Sequence, residues 1–132
     1  MEILYFVALN ALAHLAFVGC RMGTSLFALR LGASEFTVGL LMALFAALPM
    51  LLSIWSGRLI DRMGPRRPLL FAFASLAVAS ALPFAFPRIE ALYVSSTLLG
   101  TSFLLVHISM NSIFGAYGGP AQRAINFSWL AL

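Results

Sequence analysis

The sequence is short of charge and of cysteine. It has no lysine, a single cysteine and four acidic residues among 132 positions, and charged residues make up 9% of the chain. The lone Cys20 excludes a disulfide within the chain and a metal site built from several thiolates. In contrast, 62% of the residues are hydrophobic and the mean hydropathy is +1.01, whereas soluble domains are about half apolar. The sequence therefore predicts an integral membrane protein.

The net charge of +4 comes from arginine alone, and four of the eight arginines lie between residues 57 and 67. A basic membrane protein meets anionic lipid head groups, so the lipid bilayer is a predicted partner and nucleic acid is not. Arginine in a short connection between spans is biased to the cytoplasmic side. We therefore expect this segment and the N-terminus to face the cytoplasm.

Long apolar runs separated by short polar connections predict an all-α fold with four transmembrane helices. A helix of about 20 apolar residues crosses a bilayer. By that measure we expect spans at about residues 3–31, 36–60, 68–86 and 91–117. A last run at 124–132 is too short to cross and is interpreted as the start of a fifth helix.

The most distinctive segment is Gly-Arg-Leu-Ile-Asp-Arg-Met-Gly-Pro-Arg-Arg at 57–67, between the second and third predicted spans. A bias of arginine toward the cytoplasm accounts for its charge but not for the placement of its glycines and its aspartate. Six residues at fixed spacing define the pattern Gly-x-x-x-Asp-Arg-x-Gly-x-Arg-Arg: Gly57, Asp61, Arg62, Gly64, Arg66 and Arg67.

This pattern resembles the one that the major facilitator superfamily of transporters carries between its second and third transmembrane helices. The resemblance implies that residues 1–132 are a partial N-terminal domain of such a transporter, in the plasma membrane, taken as the bacterial inner membrane. It also implies that the motif acts as a conformational latch between the two halves. A complete member has about twelve spans, so the chain is interpreted as a fragment, inactive without the remaining helices or another copy of itself.

Elementary chemistry gives the motif residues roles of their own. Gly57 and Asp61 are one helical turn apart, so a missing side chain lets another helix approach where a carboxylate lies. Gly64 permits a positive φ in the turn, and Arg66 and Arg67 meet the lipid surface where the third helix begins.

The first predicted span carries a polar stripe. Asn10, His14 and Arg21 lie within about 40° of one another on a helix, and Thr24 flanks them. An arginine near the centre of a span costs about 2.5–3.5 kcal/mol on insertion scales. Arg21 therefore has a partner or faces a water-filled cavity, unless it snorkels to the head groups or pairs with a neighbouring helix structurally.

The fourth span carries a second stripe, which includes Thr101, His107 and Asn111. Because the first and fourth spans run in opposite directions, we expect residues of similar depth to face each other across a cavity. The resemblance implies the same, since these two helices line the cavity in the family. The expected pairs are Asn10 with Asn111, His14 with His107, and Arg21 with Thr101.

These seven residues are the candidate substrate path, and Arg21 favours an anionic small solute. Many family members carry an arginine in the fourth helix for proton coupling, and this chain has none there. Either His14 and His107 take over the role of that arginine in proton coupling, or they are uncharged packing residues. Both interpretations stay open.

Two other classes of function stay open. One alternative is a complete four-helix protein that dimerises into a small exporter, and the other is a membrane packing module that transports nothing. No spacing typical of a metal site, a phosphate loop or an activated nucleophile occurs, so neither an enzyme, a cofactor nor a metal is predicted.

Overall fold

A computed structural model describes residues 2–117 and 119–131, and within those ranges the chain is helical without any strand. Among these described residues, four helices are long and apolar enough to cross a membrane, and a fifth has 11 residues. The predicted all-α fold with four spans and the start of a fifth is therefore confirmed. The helices are α1 (Glu2–Arg30), α2 (Glu35–Met63), α3 (Arg66–Ala85), α4 (Ile89–Ala116) and α5 (Pro120–Leu130).

Several helix ends differ from the predicted bounds for local reasons. The second helix continues past residue 60 to Met63, because the backbone N–H of Gly64 donates to the carbonyl oxygen of Ile60 at 2.8 Å. The fifth helix begins at Pro120, four residues before the predicted start, and a proline in the first turn is already set for helical φ. The last residue of the predicted stub, Leu132, lies outside the described residues.

The packed core of the molecule surrounds α4. Three buried clusters follow one another along the bundle, and each includes side chains of α4: Val106 and Met110 in the first, Leu99 in the second and Leu92 in the third. Half of the most apolar 18-residue stretch of α4 is buried, compared with 6% of the stretch in α1. The fourth helix is thus the centre of the bundle, and α1 has most of its surface uncovered.

A proline in α2 is matched by a glycine in α4. Pro49 has no backbone N–H, so the carbonyl oxygen of Phe45, one turn earlier, has no donor within its own helix. Gly100 of α4 lies directly against this carbonyl: a Cβ built on Gly100 would be 2.5 Å from the Phe45 oxygen and 3.0 Å from Cγ of Pro49. A residue without a side chain therefore brings α4 against α2 at the freed carbonyl, where Cα–H groups are the available weak donors.

A second proline, in α3, is matched by a serine in α4. Pro83 leaves the carbonyl of Ala79 without its helical donor. Ser95 of α4 supplies one instead, since its hydroxyl donates to the Ala79 oxygen at 2.6 Å and both residues are fully buried. In a bilayer, where no water reaches the backbone, this bond satisfies a group that would otherwise remain unpaired.

A side-chain amide of α5 forms a hydrogen bond with the end of α4. Asn126 is 2% exposed, and its side-chain N–H donates to the carbonyl oxygen of Tyr117 at 2.9 Å. This bond holds the first two turns of α5 against the end of α4.

The match between Pro83 and Ser95 predicts a non-additive effect on stability. Ser95→Ala should lower the free energy of unfolding by about 0.6–1 kcal/mol, because it removes the donor to Ala79. In a Pro83→Ala background residue 83 regains its own N–H, so the same serine substitution should then change little. Reversible unfolding in mixed micelles measures both values as a double-mutant cycle.

The control for this cycle is Ser80→Ala. Ser80 is also on α3, but its hydroxyl donates to Ala77 of its own helix at 2.9 Å. Its effect should be the same in both backgrounds. An equal cost of Ser95→Ala with and without Pro83 would contradict the proposed exchange of donors.

Candidate functional site

The arginine-rich motif forms the turn between α2 and α3 and the helix ends on either side of it. Its first half, through Arg62, belongs to the last two turns of α2, and Arg66 and Arg67 open α3, so only Gly64 and Pro65 connect the helices. Gly64 has φ +76° and ψ 161°, a conformation essentially restricted to glycine. The predicted positive φ at this residue is confirmed.

The charged residues of the motif all lie at the surface. Asp61, Arg62, Arg66 and Arg67 are exposed, and within the described part of the chain Asp61 forms no ion pair. Gly57 is half-buried, and a Cβ added there would meet nothing within 4 Å. The motif therefore presents a carboxylate and an open helix face side by side at this end of the bundle.

The polar faces of α1 and α4 meet through aromatic rings. Phe17 of α1 and Phe103 of α4 stack with their centroids 4.1 Å apart and their planes 10° apart. His14 meets Phe103 edge to face at 5.0 Å, and His107 lies 6.2 Å from the same ring at 26°. The two imidazoles thus share one phenylalanine, and this level of the bundle is where the two stripes come together.

Arg21 lies one helical turn beyond Phe17 and two turns beyond His14 along α1. Its side chain is exposed, and among the described residues it has no ion-pair partner. It is 18 residues into the 28-residue apolar segment of α1 that begins at Ile3. A permanently charged group therefore stands on an uncovered face of a membrane-spanning helix.

The two threonine candidates donate to their own helices. Thr24 is 5% exposed and its hydroxyl donates to the Cys20 carbonyl oxygen at 2.8 Å. Thr101 donates likewise to Thr97 at 2.9 Å. The structure places Thr24 away from the exposed stripe, in the wall of an apolar cavity of about 320 Å³ between α1, α3 and α4 that Ser95 also lines.

The two asparagine candidates are half-buried near the end of the bundle where the Gly64 turn lies. Neither the Asn10 nor the Asn111 side chain forms a hydrogen bond with the described residues. Their donors and acceptors are consequently available to water, to further helices or to a solute.

Sequence reasoning missed Phe17 and Phe103 as members of this face. The signal was present in the spacing, since Phe17 is three residues after His14 and Phe103 is four residues before His107. Apolar residues on a polar stripe were passed over because twelve phenylalanines are spread along the chain.

Comparison with known proteins agrees with this architecture. A family model described as Major Facilitator Superfamily matches residues 4–132. The chain belongs to the major facilitator superfamily. No curated protein and no solved structure matches it significantly.

Membership identifies the chain as an integral membrane protein of a transporter family. Members of the superfamily sit in a lipid bilayer and bind small solutes, and the four apolar helices fit that setting. Within this family member, the Gly64 turn and the face that carries Arg21 and the two imidazoles are the candidate functional regions.

The geometry of the turn predicts how its glycine responds to substitution. Gly64→Ala should lower the free energy of unfolding by about 1–3 kcal/mol, because alanine is strained at φ +76°. Gly119 is the matched control, since it also precedes a helix but has φ −74° and ψ 178°, so Gly119→Ala should be tolerated. Thermal unfolding in detergent, followed by circular dichroism, measures both; equal losses for the two would contradict the account.

Proposed function

We propose that this chain forms part of the solute path of a secondary transporter and that the solute is a small anion. The observation that carries the proposal is Arg21, an exposed arginine inside an apolar helix that has no ion-pair partner among the described residues. Lipid is a poor surrounding for this charge, which at the centre of a span costs about 2.5–3.5 kcal/mol. An anion that enters a water-filled cavity would pair with it.

The other candidates extend from that charge toward the Gly64 end of the bundle as a row of hydrogen-bonding groups. His14 lies two turns from Arg21 on the same face, and His107 comes from α4 to the same Phe103 ring. Neutral imidazoles and the amides of Asn10 and Asn111 bind polar solutes without adding negative charge. The path that we propose is therefore lined by α1 and α4, with Thr101 at the level of Arg21, and it leaves out Thr24, which is buried in the apolar cavity.

The uncovered surface of α1 favours an assembly with further helices. The most apolar 18-residue stretch of this helix is 6% buried, and Arg21 on it is exposed. We propose that the remaining transporter helices or another copy of the chain close the path, and that these helices alone do not transport. The open face beside Asp61 would receive such helices, which is how the motif would act as a latch between two halves.

We further propose a plasma-membrane location with the Gly64 turn in the cytoplasm, as in the inner membrane of a bacterium. Five arginines lie at the end of the bundle with the Gly64 turn, four in the motif and Arg123 in α5, whereas two, Arg30 and Arg88, lie at the opposite end. This asymmetry orients the chain by the bias of arginine toward the cytoplasm. The N-terminus of α1 is at the same end as the turn and would also be cytoplasmic.

Replacement of Arg21 tests the anion hypothesis. Arg21→Gln should reduce uptake of the transported anions at least tenfold, because a charge-assisted hydrogen bond is worth about 1.5–3 kcal/mol. Arg21→Lys should retain part of the uptake. Flux of a panel of labelled anions and their neutral amides, in proteoliposomes that contain the assembled transporter, measures the effect.

The matched control is Arg30→Gln, at the end of the same helix, where the side chain is also exposed. It should leave uptake close to normal. If Arg21→Gln transports every anion as well as the unmodified protein does, the solute is not recognised through this charge.

Single-cysteine labelling tests the orientation. In a Cys20→Ser background, Met63→Cys and Arg88→Cys place one thiol at each end of the bundle. A membrane-impermeant maleimide should label residue 88 in intact cells and residue 63 only after permeabilisation. The opposite pattern would place the turn outside.

A further inference from the structure

Five aromatic rings from three helices form a continuous array at the candidate site. The stacked pair of Phe17 and Phe103 is extended by Phe45 of α2, whose ring lies edge-on to Phe17 at 5.6 Å. His14 and His107 both contact Phe103. The array therefore connects the two stripes to the core at Phe45, which is 4% exposed.

The array opens onto the same face as Arg21. Phe17 and Phe103 are half-buried and both histidines are exposed, so the ring surfaces reach the uncovered side of the bundle. Phe17 precedes Arg21 by four residues, which places the ring one turn below the guanidinium on one helix face. A cation and an aromatic surface are consequently neighbours.

Among the side chains that the structure describes, none at this level of the bundle is acidic. The four acids of the sequence are Glu2, Glu35, Asp61 and Glu90. Three of them, Glu35, Asp61 and Glu90, lie in the first or last turn of a helix, and Glu2 is the second residue of the chain. The charge that acts on the interior of the site is that of Arg21, so an anion is attracted there without competition from a nearby carboxylate.

From this juxtaposition we infer that the site takes a carboxylate attached to an aromatic ring. The planar guanidinium of Arg21 binds a carboxylate with two parallel hydrogen bonds. The ring of the solute then packs against Phe17 and Phe103, beside the two imidazoles that contact Phe103. The inference rests on the proposed function, since it requires that Arg21 binds the anion.

Ring chemistry separates this class of solute from an aliphatic acid of equal size. Both bury a similar apolar area, but aromatic pairs gain an additional interaction from their quadrupoles in stacked and edge-to-face arrangements. That gain corresponds to a preference of about two- to tenfold. Loss of charge should have a larger effect than loss of aromaticity, because the guanidinium would be left unpaired.

Three probes separate these contributions: benzoate, cyclohexanecarboxylate and benzamide. The affinity or uptake of each labelled probe is measured directly with the assembled transporter in nanodiscs or proteoliposomes. We expect benzoate to be about two- to tenfold tighter than cyclohexanecarboxylate, and benzamide to be the weakest. Equal affinities for benzoate and cyclohexanecarboxylate would overturn the inference.

Two phenylalanine variants assign the preference to the array. Phe103→Leu should abolish the preference for benzoate over cyclohexanecarboxylate, because the aromatic partner is lost, and far-UV circular dichroism of the purified variant shows that it is folded. Phe71→Leu, at a ring on α3 that is 67% exposed, should leave the preference intact. Loss of the preference in Phe71→Leu, or its retention in Phe103→Leu, would contradict the assignment.

The outcomes distinguish this inference from the proposed function. If none of the three probes binds while another small anion, such as inorganic phosphate or acetate, is taken up in a manner that depends on Arg21, the aromatic class is wrong and the anion transporter stands. If no anion is taken up at all, both fail.

Discussion

A carbonyl group inside a bilayer has no water to bond with, and the packing of this bundle follows from that constraint. Pro49 and Pro83 each free one carbonyl within an apolar helix, and α4 reaches both. The backbone of Gly100 lies against the Phe45 carbonyl, and the hydroxyl of Ser95 donates to the Ala79 carbonyl. The position of α4 between α2 and α3 is therefore set by two points of backbone chemistry, in addition to the apolar contacts around Leu99.

The same helix divides the molecule into a packed side and a polar side. Its face with Ser95 and Gly100 is buried against α2 and α3, and its face with Phe103 and His107 turns toward α1. Stacking on Phe17 positions the ring that both histidines contact. If this face binds the solute that we propose, it would need little reorganisation, because the cost of ordering it was met when the bundle folded.

Sequence patterns predicted what depends on composition and local stereochemistry. Span number followed from the length of the apolar runs, and the conformation of Gly64 from its place in a turn. The rotation of each helix did not follow, because lipid is as apolar as the core and an apolar face therefore does not reveal which way it points. For this reason the burial of Thr24 and the stacking of Phe17 on Phe103 required the three-dimensional structure.

The two carbonyls that Pro49 and Pro83 leave without helical donors also bear on how the helices assemble during synthesis. Synthesis proceeds from the N-terminus, so α2 and α3 enter the membrane while Phe45 and Ala79 still lack the partners that α4 provides. The hairpin of these two helices stays incomplete during that interval. Arrival of α4 then completes both helices in one step, which makes insertion of α4 the point at which these four helices commit to their packing.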